Sequence, residues 1–227
     1  KDGKLNNTAI IVELKQWTEA KIVNGKDGIV ETFTGHAVRE VPHPSYQAWS
    51  YATTIEDYNE TVQDRQITLH PCAYLHNYLT VTPPTILSDD YKYYLEKAPA
   101  FIKGDVEKLR EFITKYIKYG DEKETLYMID NGKIRPSKSL QDSLLNMLKG
   151  NQEFIMIDDQ KLVYETAIEM ARKSYNDGKK RVLVVKGGPG TGKSVLAVNL
   201  LVKLTSENMV CSYVTKNAAP RSVYAAK

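Results

Sequence analysis

The chain has 227 residues, of which 42% are hydrophobic and 26% are charged, and its formal net charge is +3. This composition is typical of a soluble protein that buries a core, and the small net charge argues against a basic tail or a membrane-surface patch. The two cysteines, Cys72 and Cys211, form neither a disulfide framework nor a zinc-ligand spacing, and no apolar run has transmembrane length, so we expect a cytoplasmic protein with reduced thiols.

The first part of the chain is rich in β-branched residues and predicts a sheet with one helix on it. Polar and glycine-containing turns, such as the one around Gly25 and Gly28, separate the apolar runs and predict a hairpin. The predicted elements are a mostly buried strand over 8–14 after a turn at 2–3, hairpin strands over 21–23 and 29–33, a loop containing Gly35, Pro42 and Pro44, a helix over 45–62 and a strand over 66–74.

The pattern of apolar and polar residues changes twice in the remainder of the chain, near residues 88 and 151. Residues 88–150 predict helices, over 105–119 and 139–149, whose apolar stripes we interpret as core packing. From residue 151 the pattern predicts a helix over 158–176 ending at Gly178, a buried strand over 181–186, a helix over 194–204 and a strand over 209–215, which is the start of a parallel α/β domain. We therefore expect three parts, with boundaries 1–87, 88–150 and 151–227.

A phosphate-binding loop joins the predicted strand 181–186 to the following helix. Its sequence GGPGTGKS satisfies GxxxxGK[ST] in full, and glycines let backbone N–H groups point at phosphates ahead of a helix N-terminus. The pattern predicts ATP binding, with Lys193 on the β- and γ-phosphates and Ser194 on Mg²⁺. The loop consists of Gly187, Gly188, Pro189, Gly190, Thr191, Gly192, Lys193 and Ser194.

Two polar positions flank this loop in sequence. Gln160 stands at a helix start upstream of Lys193, and its amide presents a donor and an acceptor together, which matches the edge of adenine. This placement resembles the adenine-reading glutamine of superfamily 1 helicases, although a lone glutamine is usually a solvated surface residue. Residues 215–217 (TKN) stand where such helicases contact single-stranded nucleic acid, and an ordinary strand-end loop remains the alternative.

A carboxylate and an ammonium lie two residues apart on the first strand. Glu13 and Lys15 therefore project from one face, which in a largely apolar strand requires either a salt-bridged strand end or a functional site. The functional interpretation is the ExK half of a PD-(D/E)xK nuclease. There Glu13, with the carbonyl of Leu14, would bind Mg²⁺ or Mn²⁺, and Lys15 would position the attacking water.

The helix predicted after this strand carries a second pattern. Gln47 and Tyr51 are four residues apart and therefore share a helix face. The order hairpin, ExK strand, QxxxY helix resembles RecB-type nucleases, in which these side chains would contact the substrate backbone. The upstream Asp that this fold normally supplies is missing, because Asp2 lies in a turn, and we expect it before Lys1.

Histidines near these patterns offer a weaker metal hypothesis. His70, Cys72 and His76 alternate along a predicted strand and then leave its period, so structural roles are favoured. His43, just before the QxxxY helix, could reach the same cleft.

Several stretches together resemble bacterial nuclease–helicases of the Schlafen-type DNA/RNA helicase group. They are residues 11–17 (IVELKQW), 43–47 (HPSYQ), 72–77 (CAYLHN), 134–138 (IRPSK) and the phosphate loop. The resemblance implies an α/β fold with a PD-(D/E)xK nuclease-like mixed sheet, a helical connecting region and the start of a RecA-like P-loop domain.

What this resemblance implies for function is an ATP-driven translocase or helicase with an attached Mg²⁺-dependent nuclease, acting on DNA rather than RNA in phage defence or DNA repair. We expect the Walker B acid, the arginine finger and a second motor domain beyond Lys227. Two alternatives stay open: a regulatory ATPase whose nuclease fold only binds nucleic acid, and a P-loop kinase or signalling switch with an interaction module.

Overall fold

The computed structural model describes residues 1–79, 84–122, 124–134 and 155–215. The chain divides into two compact units, Lys1–Pro136 with Ile157–Asp159, and Ser137–Met156 with Gln160–Lys227. The predicted α/β class is confirmed, while the helix predicted over 139–149 lies outside the described residues. The described helices are all too short or too polar to span a bilayer.

The first unit contains two small sheets and five helices among its described residues. Its strands are β1 (Thr8–Lys15), β2 (Lys21–Ile22), β3 (Ile29–Thr34), β4 (Ala37–Pro42), β5 (Thr68–Leu75) and β6 (Ala100–Ile102). Its helices are α1 (Pro44–Tyr58), α2 (Glu60–Asp64), α3 (Lys92–Lys97), α4 (Val106–Tyr116) and α5 (Glu124–Asp130), with 3₁₀ turns at Thr85–Leu87 and Asp89–Tyr91.

The larger part of the core surrounds a parallel sheet of order β1-β5-β6. β1 pairs with β5 from Thr8↔Thr68 to Lys15↔Leu75. Parallel neighbours need a crossover, and α1 with α2 supplies it, packing on β1 and β5. The contacts beneath this helix pair are apolar and involve Ala9, Ala52, Val62, Ile67 and Leu69. This packing fixes α1 above the strand that carries the ExK pattern.

The second sheet is antiparallel, of order β2-β3-β4, and confirms the hairpin predicted between β2 and β3. The prediction of a loop in front of α1 is wrong, because β4 occupies that stretch and pairs with β3. The turn between these strands has positive φ at both central residues, Gly35 (+57°) and His36 (+65°), as a tight two-residue hairpin requires. The hairpin also follows the ExK strand in the chain, whereas the RecB-like order places it before.

The predicted helix over 45–62 is formed as two helices. His43 begins α1, its Nδ1 accepting a hydrogen bond from the Ser45 amide at 3.1 Å, and Pro44 fills the first helical position, where no amide donor is needed. At Asn59 the backbone is extended, and the side chain caps α2 by accepting from the Val62 amide at 3.1 Å. An asparagine cap therefore ends one helix and starts the next.

In the second unit, the two predicted helices are confirmed as α6 (Asp159–Asp177) and α7 (Lys193–Ser206). Gly178, with φ of +68°, follows α6, and an ion pair of 2.6 Å between Arg172 and Glu207 links α6 to the residue after α7.

The strands predicted over 181–186 and 209–215 are wrong, because neither segment is assigned as a strand in the described residues. Both also expose apolar side chains, with Val182 at 83% and Val214 at 90% relative exposure. A strand is stabilised by ladder hydrogen bonds and packing against a neighbour, so β-branched composition without a paired neighbour does not produce one.

Candidate functional site

The ExK pair is the first candidate site, and it lies entirely in the first unit. The Lys15 Nζ is 2.6 Å from Glu13 Oε1, and the two side chains are only 17% and 18% exposed. Leu14 between them is 63% exposed, so this end of β1 covers its charged residues and exposes its apolar one. The Lys15 ammonium also lies 5.1 Å from the centre of the Trp17 ring. The ion pair is what the salt-bridged strand end predicts, and covering both of its charges is unusual for these residue types, so both interpretations stay open.

Helix α1 brings the QxxxY pair to a carboxylate that the sequence patterns missed. Gln47 Nε2 donates to Asp158 Oδ1 at 2.7 Å, and the Tyr51 hydroxyl donates to the same oxygen at 2.6 Å. Asp158 immediately precedes α6, and in the sequence it reads only as part of a helix start. Its φ of +43° lies in the left-handed region, where Asp is among the few tolerated non-glycine residues. No sequence signal would have placed it beside α1.

Tyr51 connects the two carboxylates electrostatically. Burial raises the pKa of the Tyr51 hydroxyl well above its usual value, and the hydrogen bond and negative charge of Asp158 and the charge of Glu13 raise that pKa further. The hydroxyl therefore keeps its proton and remains a hydrogen-bond donor at every physiological pH. Tyr51 therefore donates a hydrogen bond to Asp158 and lies within electrostatic range of Glu13, and we call Glu13, Lys15, Gln47, Tyr51 and Asp158 the Glu13 cluster.

Lys15, Gln47 and Asp158 of this cluster line a cleft of 390 Å³, and all of the lining residues belong to the first unit. Gln47 is 8% exposed, and its Oε1 has no hydrogen-bond partner among the described residues. A buried unsatisfied acceptor is rare and points to a missing donor or cation. The cleft lining comprises Leu14, Lys15, Gln16, Trp17, Thr34, Val41, Pro42, Gln47, Asp158 and Asp159.

The histidine and cysteine candidates have structural contacts. His43 is fully buried, and besides capping α1 its Nε2 lies 3.0 Å from the Ile86 carbonyl oxygen. Burial lowers the pKa of His43 to about 4, so the ring is neutral at pH 7. Cys72 is buried as well, which raises its thiol pKa to about 11, and His70 stacks on Tyr116 with ring centres 3.7 Å apart. Within the described ranges, no group of three or more His, Cys, Asp or Glu side chains is arranged around a metal position.

The phosphate loop is the second candidate site and lies in the second unit. Gly190 and Gly192 have φ of +75° and +80°, which side-chain-bearing residues rarely adopt. Lys193 Nζ donates to the Gly187 carbonyl at 2.8 Å and lies 3.2 Å from Thr191 Oγ1, so the ammonium folds back over the loop. Gly192 precedes α7 without a side-chain cap. An uncapped helix N-terminus behind a curled glycine loop is suited to binding phosphate.

Gln160 lies beside this loop, as its predicted role requires. Its Nε2 donates to the Thr191 carbonyl at 3.2 Å, and a Cβ placed on Gly192 would lie 2.5 Å from that nitrogen. The glutamine at the start of α6 is therefore close to the glycine that precedes α7. Whether it reads adenine stays a prediction, and Lys216 and Asn217 of the predicted nucleic-acid motif lie outside the described residues.

Comparison with known proteins identifies a similarity in the second unit. A family described as Schlafen group 3, DNA/RNA helicase domain, matches residues 180–227. No curated protein and no solved structure matches the chain. The matched range contains the phosphate loop and α7, and it does not include Glu13, Lys15 or α1. The similarity to a Schlafen-type helicase domain therefore concerns the segment that contains the phosphate loop.

Proposed function

We propose that the chain belongs to an ATP-driven nucleic-acid translocase or helicase with an attached Mg²⁺-dependent nuclease domain. The observation that carries this proposal is the curled phosphate loop in front of α7, within the segment that is similar to a Schlafen helicase domain. Its amides would hold the phosphates of ATP, Lys193 would turn from the loop carbonyls to the β- and γ-phosphates, and Ser194 would hold Mg²⁺. Gln160 would contact the adenine.

The nuclease half is supported by the Glu13–Lys15 pair, which is partly buried on the strand below the Gln47 and Tyr51 helix. Glu13 would bind Mg²⁺ or Mn²⁺ through its carboxylate, and Lys15 would orient the attacking water. A bound cation of this kind lowers the pKa of water and neutralises charge on the scissile phosphate. Gln47 and Tyr51 would donate hydrogen bonds to the nucleic-acid backbone, and we propose DNA rather than RNA as the substrate.

The setting that we propose is the cytoplasm, in phage defence or DNA repair. The division into nuclease, connecting and motor parts at residues 87 and 150 stays a prediction.

A second candidate is a regulatory ATPase whose first unit binds nucleic acid without cutting it. The observation that favours it is the engagement of both donors, Gln47 and Tyr51, by Asp158, and of Glu13 by Lys15. In that case the first unit would retain the fold of a nuclease and would lack the free groups that cleavage needs.

One pair of assays on the same preparations tests both halves. ATP turnover with and without single-stranded DNA, and plasmid cleavage with Mg²⁺ or Mn²⁺, would be measured for the unaltered chain and for Glu13→Ala, Lys15→Ala and Lys193→Ala. We expect the first two to lose cleavage by at least about 100-fold and to keep ATP turnover, and Lys193→Ala to lose turnover, because each removes a charge that stabilises the transition state.

The controls are Glu31→Ala, on β3 of the antiparallel sheet, and Lys180→Ala, an exposed lysine outside the loop. Cleavage that survives in both Glu13→Ala and Lys15→Ala would refute the assignment of the nuclease site to this pair, whereas no cleavage by the unaltered chain would favour the regulatory ATPase. Normal ATP turnover in Lys193→Ala would refute the role of the loop.

A further inference from the structure

Asp158 belongs to the Glu13 cluster although it is more than 100 residues from Gln47 and Tyr51 in the sequence. Both hydrogen bonds that it receives, from Gln47 at 2.7 Å and from Tyr51 at 2.6 Å, end on the same oxygen, Oδ1. No described residue donates to Oδ2. A carboxylate anchored through one oxygen by two donors has a fixed orientation and keeps acceptor capacity on the other. Asp158 therefore has a fixed orientation and retains one oxygen that can accept a further partner.

A second acceptor in the same cleft lacks a partner. Gln47 uses its Nε2 on Asp158, and its Oε1 is buried without a hydrogen bond in the part of the chain that the structure describes. A buried carbonyl oxygen left unsatisfied costs about 1–3 kcal/mol, so it needs a donor or a cation. Gln47 lines the cleft, so a donor or cation bound there would satisfy that oxygen.

The donor set matches a hard divalent cation. Mg²⁺ and Mn²⁺ prefer carboxylate and carbonyl oxygens, and Mg²⁺ is commonly held by one or two carboxylates with water in its remaining positions. At the cleft the cluster offers the carboxylate of Asp158 and the amide oxygen of Gln47, and Glu13, which is ion-paired with Lys15, would supply the second carboxylate. The Tyr51 hydroxyl donates a hydrogen bond of 2.6 Å to Asp158 Oδ1 and so holds this carboxylate in place.

We propose that Asp158 is the second carboxylate of this site and that it holds one Mg²⁺ or Mn²⁺ together with Glu13 and Gln47 Oε1. This proposal rests on the nuclease half of the proposed function and deepens it. PD-(D/E)xK nucleases normally take their second acid from upstream of the ExK strand, whereas here the segment leading into α6 supplies it.

Binding of Mn²⁺ to the chain, followed by electron paramagnetic resonance, tests the ligand role without any enzymatic activity. Asp158→Asn keeps the shape and the Oδ1 acceptor and removes the charge, so we expect Mn²⁺ affinity to fall by about 10- to 100-fold. Glu13→Gln should weaken binding by a similar factor. Asp130→Asn removes the same charge from an exposed position at the end of α5 and should bind Mn²⁺ like the unaltered chain.

Circular dichroism melting curves identify any variant that fails to fold. If Asp158→Asn fails, Gln47→Met takes its place, since it keeps the volume and removes Oε1, and its Mn²⁺ affinity should fall several-fold. The proposal is overturned if the unaltered chain does not bind Mn²⁺ at millimolar concentration, or if a folded Asp158→Asn chain binds it within twofold of the unaltered one. An increase in cleavage by Asp158→Asn would also overturn it, because Asp158 would then be blocking the site.

Cleavage measured in parallel separates this proposal from the proposed function. If Mn²⁺ binding depends on Asp158 while the unaltered chain cuts no nucleic acid, the metal site stands and the nuclease assignment fails. If the unaltered chain cuts, Glu13→Ala does not, and Asp158→Asn retains both cutting and Mn²⁺ affinity, then only the role of Asp158 fails.

Discussion

The two candidate sites are built in opposite ways. The phosphate loop consists of eight consecutive, largely exposed residues whose backbone would form the binding surface. The Glu13 cluster combines side chains from β1, from α1 and from the segment before α6, and its charged groups are mostly covered. In the first site, recognition depends on φ angles that glycine permits, and in the second it depends on packing between elements that are distant in sequence.

This difference predicts which changes damage each site. The loop should tolerate side-chain changes outside its motif and fail when a backbone angle is altered. The function of the Glu13 cluster should be weakened by substitutions that loosen the packing of α1 on β1, and by the loss of single hydrogen bonds within the cluster.

The largest expected effect concerns the support of α1 and is a dependence of stability on pH. Burial lowers the pKa of His43 from 6.5 to about 4. Between these values the unfolded chain binds a proton that the folded chain does not. The free energy of unfolding therefore falls as the pH decreases from 6.5 to 4. Above pH 6.5 both states are neutral at His43, and this destabilisation is absent. The shift corresponds to roughly 3 kcal/mol.

Tryptophan fluorescence during urea unfolding measures this effect in the first unit, because Trp17 and Trp49 are the two tryptophans of the chain and both belong to that unit. His43→Asn keeps a side chain that can cap α1 and removes the titrating group. It should be less stable at pH 7 and should lose most of the pH slope that the unaltered chain shows between 6.5 and 4. Equal slopes in both proteins would contradict the assignment.

The second effect tests the backbone dependence of the loop. Gly192→Ala places a Cβ at φ of +80° and within 2.5 Å of Gln160 Nε2, so ATP affinity should fall by about tenfold or more, given 1–2 kcal/mol for a left-handed residue. Gly188→Ala is the matched control, since a Cβ there meets nothing within 4 Å. Isothermal titration with a non-hydrolysable ATP analogue compares the two. Similar losses in both variants would mean that the loop geometry does not distinguish these glycines.

The smallest effect tests one hydrogen bond of the assembled cluster. Tyr51→Phe removes the bond of 2.6 Å to Asp158 and leaves the bond from Gln47, so the value of kcat/KM for cleavage should fall about fivefold, as expected for roughly 1 kcal/mol. Tyr119→Phe, at a residue 54% exposed, should leave the value unchanged. A loss of 100-fold or more in Tyr51→Phe would indicate that the hydroxyl takes part directly in the reaction.

Secondary structure was predictable where local chemistry decides it. The hairpin of β2 and β3, the helices α4, α6 and α7, and the parallel-type strands β1 and β5 follow from apolar period, turn residues and caps. The missed strand β4 depends on His36 adopting a left-handed conformation, which is uncommon for residues other than glycine. The residues over 181–186 have the composition of β1 and form no strand in the structure, because pairing with a neighbour decides strand formation.

The sequence by itself determined the phosphate loop, the start of α7 and the shared face of Glu13 and Lys15, since each depends on residues within a few positions of one another. The tertiary structure alone decided that Asp158 meets Gln47 and Tyr51, that His43 is a buried cap, and that Leu14 is exposed while its charged neighbours are covered. Such contacts depend on how separate elements pack, and the spacing of residues along one segment carries no information about a partner from another.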